Sequence, residues 1–443
     1  MTLIRQSAQT LAWQVTGFLA LAVSGMVTAR ALGPADRGLL AAAYLYPQLA
    51  ATLGSLSLGV AIFHHLSRRE FSLEEFAGTC AAASGGLGAA SLLLLLLTLW
   101  MGGEPLHRGI SWGILLPVVL PLPCLFALGY FSTLLQGTMD IGWYNLVNYG
   151  PKLLSLLVVL GLLGLGRLQV WDLVIAGAIL TAATGLVPVW RLRRHAPRAW
   201  CVRGALFRSL LTDGLRIHIG GVAIFLASRA NLFVANAFLG KAEVGYLYVA
   251  ITLAELIWFI SVAAETVLYP QVARMTEGDA AVLTARVCRQ ILTLSALGAV
   301  VLSGLAPVAV LLYGGRAFLP AVTPLRLLLP GVVALTVSKT LSALWVRRGW
   351  FLMLTVLAGG TGVLSVILNA LLIPRLGTSG AALATTIPYV LNAGASVTIY
   401  WRRISRDVTA VWRIRREDLR HLVRSVLDRT RGAALPGSGA RFP

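Results

Sequence analysis

The chain is predicted to be an all-α polytopic membrane protein, with about 12 transmembrane helices in two parallel-related six-helix lobes around a central cavity. Three observations predict this. Hydrophobic residues make up 57% of the 443 and charged residues 12%, with a mean hydropathy of +0.80, more apolar than a water-soluble core can absorb. Apolar runs such as Leu87 to Met101 and Leu153 to Leu165 recur along the whole chain, and with their flanks each reaches the roughly 20 residues that span a bilayer. The stretch "ALGPADRG" at 31–38 returns in altered form as "FLGKAEVG" at 238–245. Strands of a membrane barrel would alternate apolar and polar residues over about 10 positions, and the sequence lacks that pattern.

Breaking the chain at charges, Gly and Pro places six helices near 8–29, 39–63, 76–101, 110–136, 143–165 and 170–190. Six more follow near 212–237, 244–269, 287–313, 320–345, 350–373 and 379–401. The domain reading is an N-terminal lobe over 1–195, a cytoplasmic linker over 196–211, a C-terminal lobe over 212–402 and a basic tail over 403–443. Sliding the first half by about 207 residues lays Leu32-Gly33 on Leu239-Gly240, Asp36 on Glu243 and Gly38 on Gly245. Six is even, so both halves enter the membrane from one side; such parallel repeats are related by an axis along the membrane normal. The alternative is that two tight turns chose similar turn residues.

Lys and Arg fall in two sets of loops. One set carries Arg5, Arg68, Arg69, the run from Arg191 to Arg208, Arg274, Arg286, Arg289, Arg347, Arg348 and the tail; the other carries Arg30, Arg37, Arg108, Arg167, Lys241, Arg316, Arg326 and Arg375. The tally of about 25 against about 8 predicts that both termini are cytoplasmic. The net charge of +20 is then topological, and nucleic acid is not expected as a partner. The first residues mimic a secretory signal, yet cleavage near Ala29 would destroy a segment with a counterpart in the second half. Cys80, Cys124, Cys201 and Cys288 are widely spaced, which implies neither a disulfide nor a metal site.

An ionisable group at the bilayer centre costs about 2.5 to 3.5 kcal/mol on insertion scales, so those that persist face a cavity or a partner. At about 100° per residue, His218, Arg229 and Asn236 fall within roughly 20° of each other and give the seventh helix one polar face, expected to look inward. Arg229, Lys152, Glu255 and Glu265 are the ionisable groups that stand out inside the predicted spans; the structural roles open to them are a salt bridge from Arg229 to Glu255 or Glu265, interhelical hydrogen bonding, or snorkelling. Tyr44 and Gln48, four apart, could hydrogen-bond a neighbouring helix. Prolines 47, 117, 121, 123, 188, 330 and 388 permit kinks. From Asp407 to Asp428 the pattern reads as a basic amphipathic helix on the anionic leaflet or as a solvated tail.

"TARALGPADRG", "LLQGTMDIGWYN" at 134–145, "FLGKAEVGYLYVAITLAEL" at 238–256, "LYPQVARM" at 268–275 and "IPRLGTSGAALATTIPYV" at 373–390 together resemble the polysaccharide transporters. These are the oligosaccharide flippases of the multidrug/oligosaccharidyl-lipid/polysaccharide (MOP) superfamily. The resemblance runs from about residue 5 to about 402. It implies a transporter, not an enzyme, that moves a lipid-pyrophosphate-linked oligosaccharide outward across the bacterial inner membrane by alternating access. Its implied partners are that substrate, membrane lipids and a glycan polymerase or glycosyltransferases. The pyrophosphate of the implied substrate makes Arg229 and then Lys152 the candidate anion contacts, because a guanidinium offers a planar fork of donors to phosphate oxygens; Glu255 and Glu265 become the candidate cation-coupling carboxylates, and Tyr44 and Gln48 could offer hydroxyl and amide groups to the sugar. No cofactor is expected, and a H+ or Na+ gradient is the candidate energy source. Asn231 stands where relatives often carry an acid, which puts coupling at that position in doubt. A drug or metabolite antiporter, or a scaffold for glycan synthesis, are the alternative readings.

Overall fold

A computed structural model describes residues 3–68, 70–195 and 198–405; the expected amphipathic tail helix lies outside the described residues. The described residues are almost entirely helical. The elements are α1 (Leu3–Gly54), α2 (Leu58–Arg68), α3 (Leu73–His107), α4 (Trp112–Val119), α5 (Leu122–Gly137), α6 (Ile141–Gly164) and α7 (Val170–His195). Then follow α8 (Gly204–Phe238), α9 (Lys241–Glu255), α10 (Trp258–Arg274), α11 (Glu277–Gly304), α12 (Ala306–Gly314), a 3-10 turn at Arg316–Ala321, α13 (Val322–Arg347) and α14 (Phe351–Arg403).

Among the described residues, ten helical runs are long and apolar enough to cross a membrane. Two of them, Gln9–Gly54 with 46 residues and Phe351–Arg403 with 53, exceed twice the roughly 20 residues of one crossing. Each folds back at a left-handed glycine, Gly33 (φ 75) in α1 and Gly377 (φ 59) in α14, a conformation that glycine adopts without steric cost. Counting each as two crossings recovers the expected twelve. Pro34 follows Gly33 as the first residue of the returning helix, where its missing N–H removes no bond.

Several boundaries differ from the sequence reading. α3 starts at Leu73, three residues early, because Ser72 and Glu75 form a capping box: Glu75 N–H donates to Ser72 Oγ at 3.2 Å and Ser72 N–H to Glu75 Oε2 at 2.9 Å. α11 starts at Glu277, so Arg286 and Arg289, expected in a loop, are helical and Arg289 is buried. Its start is set by Thr276, whose Oγ1 accepts from Asp279 N–H at 3.3 Å. α8 starts at Gly204, so the end of the expected linker is already helix. The fourth crossing breaks between Val119 and Leu122, where Pro121 and Pro123 remove backbone donors.

The chain divides into two compact units, which do not coincide with the halves of the repeat. Among the described residues, unit 1 falls within 3–253, 304–328 and 355–388, and unit 2 within 254–303, 329–354 and 389–405. The core of unit 2 joins α10, α11, α13 and α14 through Leu268, Val272, Cys288, Leu341, Trp345 and Tyr400. There Trp345 stacks on Trp350 at 5.7 Å, and Arg347 Nε donates to the Val272 carbonyl at 2.8 Å.

In unit 1 the two copies of the repeat meet each other. A Cβ on Gly38 would collide with the Lys241 carbonyl and lie 2.7 Å from Gly245 N; a Cβ on Gly245 would collide with the Pro34 carbonyl and lie 3.2 Å from Gly38 N. The shift that carries Gly38 onto Gly245 also carries Pro34 onto Lys241. Each glycine therefore touches the counterpart of the residue that its own partner touches, the signature of a twofold contact. The pattern extends outward: Arg30 donates to the Leu312 carbonyl at 2.6 Å, while Arg108 donates to the carbonyl of Ala237, the counterpart of Arg30. Replacing Gly38 by Val should therefore cost about 1 to 3 kcal/mol and lower the thermal midpoint of the detergent-solubilised protein. Gly86→Ala, where a Cβ meets open space, should leave that midpoint unchanged or raise it.

Candidate functional site

The second crossing, the part of α1 after Gly33 together with α2, is interrupted at residues 55–57. Leu56 (φ 47) and Ser57 (φ 52) sit in the left-handed region without being glycine, a conformation that costs of order 1–3 kcal/mol each. Unwound backbone at membrane depth persists only where protein or a water-filled cavity satisfies it. Protein supplies the partners here. The Ser55 carbonyl accepts from Leu58 N–H at 3.0 Å and from the Tyr130 hydroxyl at 3.0 Å. The Leu56 carbonyl lies against Gly214 of α8, so close that a Cβ there would come within 2.5 Å of it.

Beside the break lies a cavity of about 350 Å3 lined by Ala51, Thr52, Ser55, Ser57, His218 and Gly221. His218 Nδ1 and Ser57 Oγ are 3.3 Å apart. Thr52 donates its hydroxyl to the Gln48 carbonyl at 2.7 Å and Ser55 to the Thr52 carbonyl at 3.3 Å, which leaves their oxygens able to accept from a guest. The lining carries hydroxyls and one imidazole and no carboxylate, a surface suited to neutral, hydroxyl-rich groups.

α8 supplies most of the other polar groups named from the sequence. Asn236, 6% exposed, accepts from Lys241 Nζ at 2.6 Å and donates to the Tyr46 hydroxyl at 3.4 Å. His218 and Asn236 thus both address the second crossing. Arg229 lies between them on α8 and is half-buried. Asn231, 2% exposed, donates from Nδ2 to Thr385 Oγ1 at 3.0 Å and accepts from Leu232 N–H at 2.7 Å, so both ends of its amide are used in a neutral pair.

The remaining candidates lie elsewhere. Lys152 of α6 lays its stem against α1, with Cδ 3.3 Å from a Cβ position on Gly17, and holds Nζ 4.9 Å from the Tyr149 ring centroid. The Tyr44 hydroxyl abuts Gly177 of α7, and Gln48 is exposed; neither is among the cavity-lining residues. Glu255 ends α9 at a second helix interruption. Glu265, in unit 2, has its Oε1 buried without a hydrogen-bond partner. Among the described residues no cluster of His, Cys, Asp and Glu could hold a metal ion.

Sequence reasoning missed the break at 55–57. The signal was present as Gly54, Ser55, Ser57 and Gly59 in succession, since Gly and Ser pairs mark sharp kinks as prolines do.

Long apolar helices doubled at glycines, with an unwound segment beside a cavity partly lined by hydroxyls, define a multi-pass helical membrane protein. A family model described as polysaccharide biosynthesis protein matches residues 3–276, more than half of the chain, and the chain belongs to that family. No match was found among curated proteins. The fold is similar to that of the lipid II flippase MurJ in an inward closed conformation, with TM-score 0.76 and 13% identity over 88% of this chain and 87% of that one. It is also similar to an inward-facing multidrug resistance MATE family transporter of the MOP superfamily, with TM-score 0.70 and 16% identity over 89% and 95%. A MOP superfamily transporter from Pyrococcus furiosus aligns with TM-score 0.58 and 16% identity over 91% and 93%.

If the cavity is wet, a thiol placed in it can ionise and react. In a Cys201→Ser background, Ser57→Cys should label with a polar maleimide about tenfold faster than Val60→Cys, which faces outward among apolar side chains. Equal rates would mean that the cavity is dry.

Proposed function

We propose that the protein is a flippase that translocates a lipid-pyrophosphate-linked oligosaccharide across the bacterial inner membrane by alternating access, for surface polysaccharide biosynthesis. The supporting observation is the hydroxyl- and imidazole-lined cavity at an unwound helix in a member of the polysaccharide biosynthesis family. Hydroxyls and imidazole exchange hydrogen bonds with sugar hydroxyls as well as with water. The apolar helix faces around them suit a polyprenyl tail.

The pyrophosphate of such a substrate needs cations. In this reading Arg229 on α8 and Lys152 on α6 supply them, Arg229 through its planar fork and Lys152 as a point charge. His218, Asn231, Asn236, Tyr44 and Gln48 complete the proposed contact set, with His218 nearest the cavity. The turns at 31–38 and 238–245 then face outward and both termini are cytoplasmic. Glycosyltransferases and a polymerase would supply and consume the cargo.

A cation antiporter is the second reading. It is favoured by the MATE-like fold and disfavoured by a cavity lining without a carboxylate. A scaffold acting through the basic tail would need no cavity.

Coupling, in the proposed mechanism, uses Glu255 and Glu265. The buried Oε1 of Glu265 without a partner is what a carboxyl poised to take up a proton or sodium ion would present. The neutral Asn231–Thr385 pair leaves no anionic charge at the seventh-helix position where relatives often carry an acid.

In vesicles loaded with a lipid-linked oligosaccharide, Arg229→Ala and Lys152→Ala should each lower transport about tenfold or more at normal protein levels, equivalent to losing at least 1.4 kcal/mol of substrate contact. Normal transport in both would remove the anion-clamp role. Imposed pH or sodium gradients should change the wild-type rate and leave Glu265→Gln unaffected; a wild-type rate indifferent to both gradients would exclude Glu255 and Glu265 as coupling groups.

A further inference from the structure

α2 and α8 belong to opposite halves of the repeat, and they meet at a part-buried polar contact. His65, 6% exposed, sits one turn before the end of α2 and places Nε2 2.9 Å from Asp213 Oδ2 on α8. The Asp213 carboxylate also receives Arg216 Nη1 on Oδ1 at 3.2 Å. The other imidazole nitrogen, Nδ1, is buried without a hydrogen-bond partner, and the nearest carboxylate oxygen, Glu70 Oε2, lies 4.0 Å away. Glu70 is half-exposed and also lies 3.9 Å from Arg68.

The arrangement dictates which atom exchanges the proton. An ionised carboxylate only accepts, so Nε2 must carry the hydrogen that faces Asp213. The neutral ring then has a bare lone pair on Nδ1 with no donor to meet it, a buried acceptor left unsatisfied. Protonation turns Nδ1 into a donor aimed toward Glu70 and turns the Asp213 contact into a charge-assisted bond. Deprotonation restores the orphan and weakens the contact. Imidazole is the side chain whose charge ordinarily changes near neutral pH.

The neighbouring His64 ring stands edge-on to His65 at 5.5 Å. α5, on the other side of α2, carries no charged side chain; its titratable groups are Cys124 and Tyr130, and Tyr130 is engaged with Ser55. On α8 the charged or titratable neighbours of Asp213 are Arg208, Arg216 and His218, with His218 held by Ser57.

We propose that His65 and Asp213 form a proton-binding site that locks α2 to α8 when His65 is charged and releases them when it is neutral. The site is separate from the 55–57 cavity, and its use as a regulator of transport rests on the flippase reading above. The proton is transferred from hydronium: its O–H bond breaks to leave water, the Nδ1–H bond forms with the nitrogen lone pair, and the reverse step returns the proton to water. α2 begins immediately after the break at 55–57, so the lock sits at the far end of the helix that leads away from the cavity-lining Ser55 and Ser57.

The test uses the full chain in lipid nanodiscs, Cys201→Ser, with spin labels at Phe63→Cys on α2 and Leu215→Cys on α8, both on exposed positions. The distance distribution between the labels should lengthen as pH rises from about 5.5 to 8. His65→Gln, whose amide can still donate to Asp213 but cannot titrate, should show one distribution at every pH. Asp213→Asn, should His65→Gln fold poorly, should likewise remove the pH response. Distances that ignore pH in the wild type, or that respond equally in His65→Gln, overturn the proposal. A pH-dependent distance in a protein that flips no lipid-linked sugar would sink the transport reading alone; sugar transport with pH-indifferent distances would sink the lock alone.

Discussion

The backbone of one repeat copy lies directly against the backbone of the other, at Gly38 and Gly245, and much of unit 1 depends on that approach. In lipid there is little hydrophobic driving force between helices, so association relies on close packing, and small residues let backbones come within contact. Here the carbonyls of Lys241 and Pro34 occupy the space that a side chain would fill. Because the contact maps onto itself under exchange of the copies, whatever loosens one side loosens the other. Arg30 and Arg108, bonded to Leu312 and Ala237 carbonyls, extend the same closure to the neighbouring loops. These cations neutralise helix C-terminal carbonyls that would otherwise lack partners.

The opposite requirement governs the second crossing. A helix satisfies its own backbone, and any interruption in a bilayer exposes groups that lipid cannot satisfy. The interruption at 55–57 persists because Tyr130 and Gly214 come to meet it, one with a hydroxyl and one with the absence of a side chain. The gain is a polar recess in an otherwise apolar wall. The strain at Leu56 and Ser57 lies where α2 joins the rest of its crossing. This crossing combines closed packing at one end, an unwound segment in its middle and a His–Asp contact near its other end.

What could be read from residues alone varied with the range of the interaction. The twelve crossings follow from hydropathy because water exclusion acts on each segment independently of its neighbours. Gly33 and Gly240 were legible as turns, and their repetition pointed to duplicated halves. Helix starts were misplaced where caps, not hydropathy, set them: Ser72 with Glu75, and Thr276 with Asp279, extend helices beyond the apolar stretch. The polar side chains of the seventh crossing were recognised as unusual, yet their partners were not. Asn231 finds Thr385 at a separation of 154 residues, and Asn236 finds Tyr46 at 190; periodicity gives a face, not the residue that it meets.

The sequence by itself determined that this is a membrane-embedded helical protein built from two related halves, because transfer from water to lipid is a property of each segment's own composition. Only the tertiary structure decided that the helices following the two glycine turns pack on each other at Gly38 and Gly245, that the second crossing unwinds, and that His65 meets Asp213. Those outcomes depend on which distant backbone or carboxylate arrives within about 3 Å, a distance that no local pattern encodes.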